Sequence, residues 1–364
     1  MNSIYDVLEA ISIGSIVALF LFNNGRVPKA IELWKECLFI LNNKSVDKRN
    51  IVIKLVYESI NKLLVEAYCR INEYNSAIKC CRKHLDLQRE CGNRANECEL
   101  LIKLATLCQR QSRYVEAKEL YEEAIAVTKV TGERRREAEC YNRLAIMYKI
   151  QGQYVKAEEY LMKAIVINKE IGHKQGEAMD YGNLGTVFRS VGNYKKAKEY
   201  QEKSLEINKD IGSKYGIAAA YGNLGTVFEC LGEYDKAKDC LEKALLIGRE
   251  LGDRNGEATN YTSLGTVFNS LSDYVKAKES HGKALVIARE IGDKYIEAGA
   301  YNGLGIAFQS LCDYKKAAEH FEKALVIQIE IGDRAGEASS YGNLGTIFQC
   351  LGIIAKLRNI SRKR

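Results

Sequence analysis

The sequence predicts an all-α fold, a right-handed solenoid superhelix of antiparallel helix pairs, and three observations support this prediction. The segment Tyr221–Phe228 recurs unchanged 40 residues earlier at Tyr181–Phe188, and with one conservative change at Tyr341–Phe348. An alanine keeps the same step along most of the chain. Pro28 is the only proline, which suits long uninterrupted helices. Because a fixed period of about 20–50 residues is typical of solenoids, we expect function on a repeated surface.

Each repeat is predicted to contain two helices. Tyr181, Leu184 and Phe188 have the spacing of one apolar face of a first helix. Gly185 lies on the same face, and we expect it to meet Ala197 of the second helix at a close crossing. A larger side chain at that crossing should cost about 1–3 kcal/mol through overpacking.

Turn residues mark the helix ends. Gly192 and Asn193 are predicted to form the turn inside one repeat, since glycine permits positive φ and asparagine suits turns. A glycine is expected in the left-handed conformation at the end of each second helix. These glycines are Gly172, Gly212, Gly252, Gly292 and Gly332. The next first helix is then expected to start on an N-cap, as at Asp253, Asp293 and Asp333.

The chain is predicted to contain about eight helix pairs and one extra helix. The first pair is expected over residues 14–43, with Pro28 in the first turn of its second helix and an inserted loop over Asn42–Lys48. The last unit is expected to stop after one first helix, Tyr341–Leu351. The predicted segments are a divergent N-terminal helix pair and loop at 1–57, the repeat array at 58–352 and a short basic tail at 353–364.

Composition argues against several function classes. The net charge of +7 is spread through the repeats without a basic stripe rich in interleaved aromatics, so nucleic-acid binding is not predicted. Twelve cysteines without a C-x-x-C motif, and four scattered histidines, predict reduced structural thiols and no metal site. The most apolar run, Ile11–Phe22, is too short to span a membrane and follows Asp6 and Glu9. A cytoplasmic location without membrane insertion is therefore expected.

No catalytic motif is present, so no enzymatic activity and no cofactor are predicted. The sequence has no phosphate-binding P-loop, no H-E-x-x-H and no G-x-S-x-G. An acidic residue recurs early in several first helices, where it is expected to interact with the helix dipole. These residues are Glu177, Glu257, Glu297 and Glu337.

The candidate functional surface is the first-helix face that packing leaves free. An asparagine recurs on this face, and its amide can both donate to and accept from the backbone of an extended peptide. The predicted peptide-binding groove consists of Arg110, Arg143, Asn183, Thr186, Asn223, Thr226, Ser263, Asn269, Gln309 and Asn343. Two alternatives stay open: these residues are ordinary solvated side chains, or the asparagines bridge adjacent repeats.

Charge on this face changes along the chain. The N-terminal half carries basic residues, namely Lys62, Arg70, Lys103, Arg110, Arg143, Lys149 and Arg189. The C-terminal half carries neutral polar residues such as Thr226, Asn269 and Gln309. We therefore expect an acidic partner segment in the N-terminal half and a neutral polar one in the C-terminal half.

The repeat resembles the tetratricopeptide repeat. Tyr181, Phe188 and Ala197 stand at that family's Trp, Tyr and Ala positions. The period of 40 and the missing terminal proline depart from the usual repeat of about 34 residues. The variant looks most like the LGN/Pins spindle-orientation adaptors. That resemblance implies first helices lining a concave groove that binds extended peptides, but nothing after Gly352 looks like the Gα-binding motifs of those adaptors.

The predicted function is a non-enzymatic protein–protein interaction scaffold or adaptor. Its partner would be an extended or helical segment of another protein, held in the groove. One alternative is a regulatory or sensor array of a larger signalling protein, linked to a G protein or an NTPase. Another is a self-associating module that pairs through its C-terminal end.

Overall fold

The chain is an α-solenoid. The computed structural model describes residues 4–43 and 51–362, and in these ranges seventeen α-helices follow one another with no β-strand. The helices are α1 (Ile4–Asn23), α2 (Val27–Asn43), α3 (Ile51–Arg70), α4 (Tyr74–Glu90), α5 (Arg94–Arg110), α6 (Tyr114–Thr131), α7 (Arg134–Ile150), α8 (Tyr154–Glu170), α9 (Lys174–Ser190), α10 (Tyr194–Asp210), α11 (Lys214–Cys230), α12 (Tyr234–Leu251), α13 (Arg254–Ser270), α14 (Tyr274–Ile291), α15 (Lys294–Ser310), α16 (Tyr314–Ile331) and α17 (Arg334–Arg362). This confirms the predicted fold class of eight helix pairs and one extra helix.

The helices form two compact units, Met1–Ile171 with α1–α8 and Gly172–Arg364 with α9–α17. Within each unit every helix packs against the next one along the chain. In the second unit α9, α11, α13 and α15 also touch one another in that order. The first helices of neighbouring repeats there lie side by side, which places equivalent residues next to one another.

The predicted apolar face of the first helix is confirmed. Tyr181, Leu184 and Phe188 are all buried. A Cβ at Gly185 would lie 2.6 Å from Nε2 of Gln201, one turn beyond Ala197, so the side chain of Gln201 is the nearest group at this crossing. Glycine is needed there because the Gln201 side chain lies against the backbone of the first helix.

The turn and capping predictions are confirmed. Gly192 has a φ of +76°, and the side chain of Asn193 accepts a hydrogen bond from the Lys196 amide at 3.2 Å. The predicted glycines at the ends of the second helices all have positive φ. Asp253 accepts from the Gly256 amide at 2.9 Å, and Asp293 and Asp333 make the same bond. These caps satisfy amides that a helix start leaves unpaired.

The N-terminal helix pair is longer than predicted. Helix α1 already begins at Ile4, well before residue 14. Pro28 is the second residue of α2, as expected for a proline in a first helical turn. Asn42 and Asn43 belong to α2, and residues 44–48 of the predicted loop lie outside the described residues.

The predicted end of the last helix was wrong. Helix α17 does not stop at Leu351 but continues to Arg362. In the earlier repeats a left-handed residue such as Gly232 ends the first helix and a tyrosine opens the next. Gly352 does not have positive φ, and Ile353 and Ile354 follow it instead of the turn residues. The helix therefore lacks the signal that ends it elsewhere.

The structure also describes the cysteines, the grouping of possible metal ligands and the length of the apolar helices. Each of the twelve cysteines is a free thiol. Within residues 4–43 and 51–362, no three His, Cys, Asp or Glu side chains are grouped so that they could hold a metal ion. In the same part of the chain, every helix is too short or too polar to cross a bilayer.

Candidate functional site

In the second unit, four of the predicted groove residues lie on the first helices at one repeated position. Asn183 lies on α9, Asn223 on α11, Ser263 on α13 and Asn343 on α17, all of them half-buried. We call this row, together with Gly303 on α15, the first-helix stripe. Because α9, α11, α13 and α15 touch in order, the members of the stripe on these helices are neighbours from repeat to repeat.

Two threonines lie one turn beyond the stripe. The Thr186 hydroxyl donates to the Asn183 carbonyl oxygen at 2.8 Å, and the Thr226 hydroxyl donates to the Asn223 carbonyl oxygen at 2.8 Å. Each hydroxyl hydrogen is therefore held by its own helix. The Thr226 hydroxyl oxygen keeps acceptor capacity, so this threonine offers an acceptor rather than a donor to a ligand.

Gln201, on the second helix α10, contacts the stripe at Asn223. It is buried, its Nε2 donates to the Gly182 carbonyl oxygen at 2.7 Å, and its Oε1 accepts from Nδ2 of Asn223 at 3.5 Å. Sequence reasoning missed this residue. The available signal was a polar side chain at a position where other repeats carry Leu161 and Leu241.

Asn269 belongs to a second buried polar group. Its Nδ2 lies 3.4 Å from Nε2 of His281 and 3.4 Å from the Gly303 carbonyl oxygen. A Cβ at Gly303 would lie 2.2 Å from the His281 ring, so the imidazole fills the space that a side chain of the stripe would need. The stripe therefore has no side chain at Gly303, and Asn269 contacts its backbone instead.

The imidazole of His281 is fully buried and its Nδ1 has no hydrogen-bond partner in the described part of the chain. Burial lowers the pKa of His281 to about 4, because the charged form loses its hydration. The ring is therefore neutral at pH 7.

Ser263, Gln309 and Asn343 keep their polar groups unused. All three side chains are half-buried, and none makes a hydrogen bond to another described residue. Together with the hydroxyl oxygen of Thr226, they can present both donors and acceptors to a peptide backbone.

In the first unit, the structure brings Arg110 and Arg143 together. Both line one open cavity of about 420 Å³ between the first helices α3, α5 and α7. Nε and Nη2 of Arg143 donate to Oε1 of Glu139 at 2.9 and 2.7 Å, so much of its charge is paired. Arg110 lies over the Tyr74 ring, 5.9 Å from its centre, and keeps its charge exposed.

This cavity is mixed in charge rather than purely basic. Lys103, Arg110, Arg136 and Arg143 line it together with Glu66, Glu99 and Glu139. Burial raises the pKa of the Cys69 thiol in the same cavity, and the charges of Lys103 and Arg110 oppose that shift. Of the four basic residues, Arg136 and Arg143 are ion-paired, and Lys103 and Arg110 make no ion pair with another described residue. The cavity therefore supports only part of the predicted basic surface.

The early glutamates do more than interact with the helix dipole. Oε1 of Glu297 lies 3.0 Å from Nε of Arg289, at the end of the preceding second helix, and Oε2 lies 3.0 Å from Nζ of Lys294. Glu257 is held in the same way between Arg249 and Arg254. The dipole interpretation was incomplete, since these carboxylates also join one repeat to the next.

The sequence pattern of the tetratricopeptide repeat matches residues 57–129, 136–210, 216–290 and 296–352. These four segments make up well over half of the chain. The chain belongs to the tetratricopeptide repeat family. No curated protein sequence matches the chain. The narrower resemblance of this tetratricopeptide repeat protein to the LGN/Pins adaptors stays a prediction.

Solved structures share the fold at low sequence identity. The apo form of the quorum sensor NprR from B. thuringiensis is 16% identical, with a TM-score of 0.64 and 87% of each chain covered. A Rap protein complexed with Competence and Sporulation Factor is 16% identical, with a TM-score of 0.55, and 94% of this chain and 99% of that one are covered. At such identities the likeness establishes the fold alone.

A third similar structure is a signal transduction ATPase with numerous domains, which carries a tetratricopeptide repeat sensor and comes from Pyrococcus horikoshii. It is 21% identical, with a TM-score of 0.58. The match covers 82% of this chain and 43% of that protein, so this chain spans less than half of its length.

Proposed function

We propose that this tetratricopeptide repeat protein is a non-enzymatic adaptor that binds an extended or helical segment of a partner protein along its first helices. The observation that carries the proposal is the first-helix stripe, which places a half-exposed asparagine or serine on α9, α11, α13 and α17. Amides at a regular spacing can bond to a peptide backbone without demanding a particular sequence. We place this activity in the cytoplasm as part of the same proposal.

The two units offer different chemistry to the partner. In the first unit, Lys103 and Arg110 make no ion pair with another described residue and contribute positive charge. In the second unit the stripe is neutral. We infer that an acidic part of the partner binds the first unit and a neutral polar part binds the second. The matched structures support this kind of function, because one of them is described as a complex of a Rap protein with Competence and Sporulation Factor.

The proposal is tested by capturing partners with purified variants. Asn183→Ala/Asn223→Ala removes two amides of the stripe, and Glu206→Ala/Leu246→Ala alters exposed positions of the second helices as a matched control. Circular dichroism first establishes equal helicity. We expect specific partners to be lost from the stripe variant and kept by the control. Equal capture by both variants would contradict the proposal.

The acidic part of the proposal has its own test. Arg110→Gln/Arg143→Gln lowers the positive charge of the first unit without reversing it. We expect weaker partner binding and a shallower dependence on salt, because fewer charges are screened. Unchanged salt dependence would contradict binding of an acidic segment to the first unit. It would not bear on binding of the partner to the first-helix stripe.

A regulatory or sensor array is the second candidate. It is favoured by the likeness to the signal transduction ATPase, in which repeats of this fold are described as a sensor. In that case a ligand bound to the repeats would alter a catalytic domain. Capture of an NTPase that depends on Asn183 and Asn223 would favour this function over a simple adaptor.

A third candidate is self-association through the C-terminal end. Tyr341 and Phe348 of α17 are more than half exposed, whereas the equivalent Tyr181 and Phe188 are buried. Sedimentation at two protein concentrations, with wild type and Phe348→Ser, distinguishes this candidate from the adaptor.

A further inference from the structure

Helix α1 exposes two apolar residues at positions that are buried in the eight other first helices. Counted back from the turn glycine Gly25, Val17 and Phe20 are equivalent to Leu184 and Val187 of α9. Phe20 is 66% exposed and Val17 is 45% exposed. The other residues at the Phe20 position are all buried, namely Ala67, Leu107, Met147, Val187, Val227, Val267, Ala307 and Ile347. Helix α1 therefore lacks a contact that the other first helices make.

In the other repeats the preceding second helix covers these positions. Leu344 and Ile347 of α17, the equivalents of the two exposed α1 residues, form one apolar cluster with Phe321 of α16. In the described part of the chain α1 packs against α2 and α3, which both follow it. One side of α1 is therefore open. We call the exposed row on this side the α1 face, and it consists of Ile13, Val17 and Phe20.

Helix α17 is open on the opposite side, where the following second helix lies in the other repeats. Tyr181 and Phe188 of α9 stack on Tyr200 of α10, with ring centres 6.0 and 5.3 Å apart. Their equivalents on α17, Tyr341 and Phe348, are 55% and 57% exposed. Two aromatic rings that are covered inside the array are thus uncovered on α17.

Gly345 lies between these two rings and shows what the open side of α17 can accept. At the equivalent Gly305, a Cβ would lie 2.6 Å from the Phe321 ring of the following second helix, so glycine makes room for a phenylalanine there. Nothing lies within 4 Å of a Cβ at Gly345. The same room is therefore open to solvent. We call Tyr341, Gly345 and Phe348 the α17 face.

We propose that the α17 face of one copy of the chain binds the α1 face of a second copy. Each helix then takes the place that a second helix has beside the first helices of the array. Phe20 of one copy would lie against Gly345 of the other, as Phe321 lies against Gly305 within the chain. The contact is head-to-tail, and it gives the self-association candidate its second surface. It goes beyond the proposed adaptor function and does not rest on it.

Charge selects the orientation of the two helices. Neighbouring helices of the array are antiparallel, and an antiparallel contact places the N-terminal end of α1 beside the C-terminal end of α17. The sequence of α1 carries Asp6 and Glu9 and no basic residue. The sequence of α17 after Gly352 carries Lys356, Arg358 and Arg362 and no acidic residue. Opposite charges therefore meet, whereas a symmetric pair of α1 helices or of α17 helices offers no such match.

The spacing of these charges fits the same contact. Glu9 precedes Phe20 by 11 residues, and Lys356 follows Gly345 by 11 residues. At a rise of about 1.5 Å per residue, both positions lie about 17 Å from a crossing of Phe20 and Gly345, on the same side of it. Asp6 and Arg358 follow one turn further along. One register thus satisfies the apolar contact and the charges together.

A lipid surface suits the α1 face less well than a second copy does. Helices that lie in a membrane interface typically carry lysine and arginine on their polar face, which attract anionic lipids. Helix α1 has no basic residue, and its only charged residues are Asp6 and Glu9. The second copy supplies the complementary charge that a membrane with anionic lipids does not.

The experiment is sedimentation velocity of the full chain from about 1 to about 100 μM, a range that detects weak association. Ile13→Ser/Phe20→Ser removes apolar area from the α1 face at exposed positions. Gly345→Gln fills the α17 face at a position with free space in the monomer. Gly282→Gln is the matched control, since a Cβ there also meets nothing within 4 Å but lies on α14. Circular dichroism first establishes that all variants are equally helical.

Mixing the two variants distinguishes head-to-tail pairing from symmetric pairing. We expect wild type and Gly282→Gln to form species larger than the monomer as concentration increases. Each face variant alone should stay monomeric, because it keeps only one of the two faces. Their equimolar mixture should form a 1:1 dimer and nothing larger, because one intact α17 face meets one intact α1 face.

The charges have a separate test in a reversal and its repair. Glu9→Lys should weaken self-association by about fivefold, because an attractive contact becomes repulsive. Glu9→Lys/Lys356→Glu should restore it, since the charges are then exchanged between the two faces. A double variant that associates no better than Glu9→Lys would overturn the antiparallel register.

Four results would overturn the proposal: a wild type that is monomeric at every concentration, dimers of Ile13→Ser/Phe20→Ser alone, dimers of Gly345→Gln alone, or a mixture that stays monomeric. Binding of monomeric wild type to vesicles of phosphatidylcholine and phosphatidylserine, lost in Ile13→Ser/Phe20→Ser, would assign the α1 face to a bilayer and also overturn it. None of these variants alters Asn183 or Asn223. Failure of the head-to-tail contact is therefore distinguishable from failure of the adaptor function.

Discussion

Arg249 and Glu257 join one repeat to the next, with Nε of the arginine 3.0 Å from Oε1 of the glutamate. The arginine lies in the last turn of the second helix α12, and the glutamate lies in the first turn of α13. Arg289 and Glu297 repeat the relationship at 3.0 Å. The glutamate side chains are nearly buried, so each carboxylate depends on these donors after leaving water.

We therefore predict that Glu257→Gln lowers the free energy of unfolding by about 2 kcal/mol, because a buried charge-assisted hydrogen bond is lost. Glu242→Gln is the matched control, since Glu242 pairs with Lys238 at 3.9 Å on the exposed surface. It should cost less than about 0.5 kcal/mol. Urea denaturation of both variants measures the difference, and equal effects would contradict the structural role of Glu257.

The buried imidazole of His281 predicts a loss of stability in mild acid. Its pKa is about 4 in the folded chain and near 6.5 when unfolded, so the unfolded chain binds the proton more tightly. Stability from this residue is complete above the unfolded pKa and is lost as pH falls towards the folded one. Between pH 7.5 and pH 5 the loss should be about 2 kcal/mol.

His281→Leu should remove this part of the pH dependence, because Leu161 and Leu241 occupy the equivalent position in other repeats. The measurement is the urea midpoint of wild type and variant at pH 7.5 and pH 5. If both proteins lose the same stability between the two pH values, His281 is not the titrating group.

Two glycines in helices should respond oppositely to alanine. A Cβ at Gly225 would lie 2.6 Å from Cγ of Leu241 and 3.3 Å from the Ala237 carbonyl oxygen, so Gly225→Ala should destabilise by about 1–3 kcal/mol. Nothing lies within 4 Å of a Cβ at Gly248, in the interior of α12. Gly248→Ala should stabilise by up to about 1 kcal/mol through helix propensity. Thermal unfolding compares the two, and a loss of stability in Gly248→Ala would contradict this account.

The turn inside each repeat needs a left-handed residue. Cys312 adopts a φ of 60° at the position where Gly232 has a φ of 74°. Because a side chain is strained in this conformation, Cys312→Gly should stabilise the protein by about 0.5 kcal/mol. Gly232→Ala should destabilise it by about 1 kcal/mol. The midpoints of chemical denaturation check both signs, and a destabilised Cys312→Gly would show that the thiol has another role.

Much of the fold followed from the period of 40 residues. The period places Tyr181 and Phe188 on a buried face and Gly192 at a turn, and local chemistry then identifies caps such as Asp253. Periodicity shows which face is buried but not how far a partner side chain reaches. The close contact of the Gln201 side chain with Gly185 is one such feature.

Less of the candidate site than of the fold can be predicted from the sequence. The repeat pattern predicts the stripe. Gln201 and His281 lie on second helices, and the spacing of residues in the sequence does not show their contacts with the first helices. Charge was misleading for a similar reason. Arg143 looked available, yet Glu139 binds it from one turn earlier on the same helix.

The central claim is that partners bind the first-helix face of the second unit, and site-specific photo-crosslinking tests it most directly. A photoreactive phenylalanine analogue is placed at Thr226 or Thr266 on first helices, or at Glu206 or Val286 on exposed faces of second helices. The account predicts crosslinks to a captured partner from Thr226 and Thr266 and none from Glu206 and Val286. Crosslinks that form only from the second helices would contradict it.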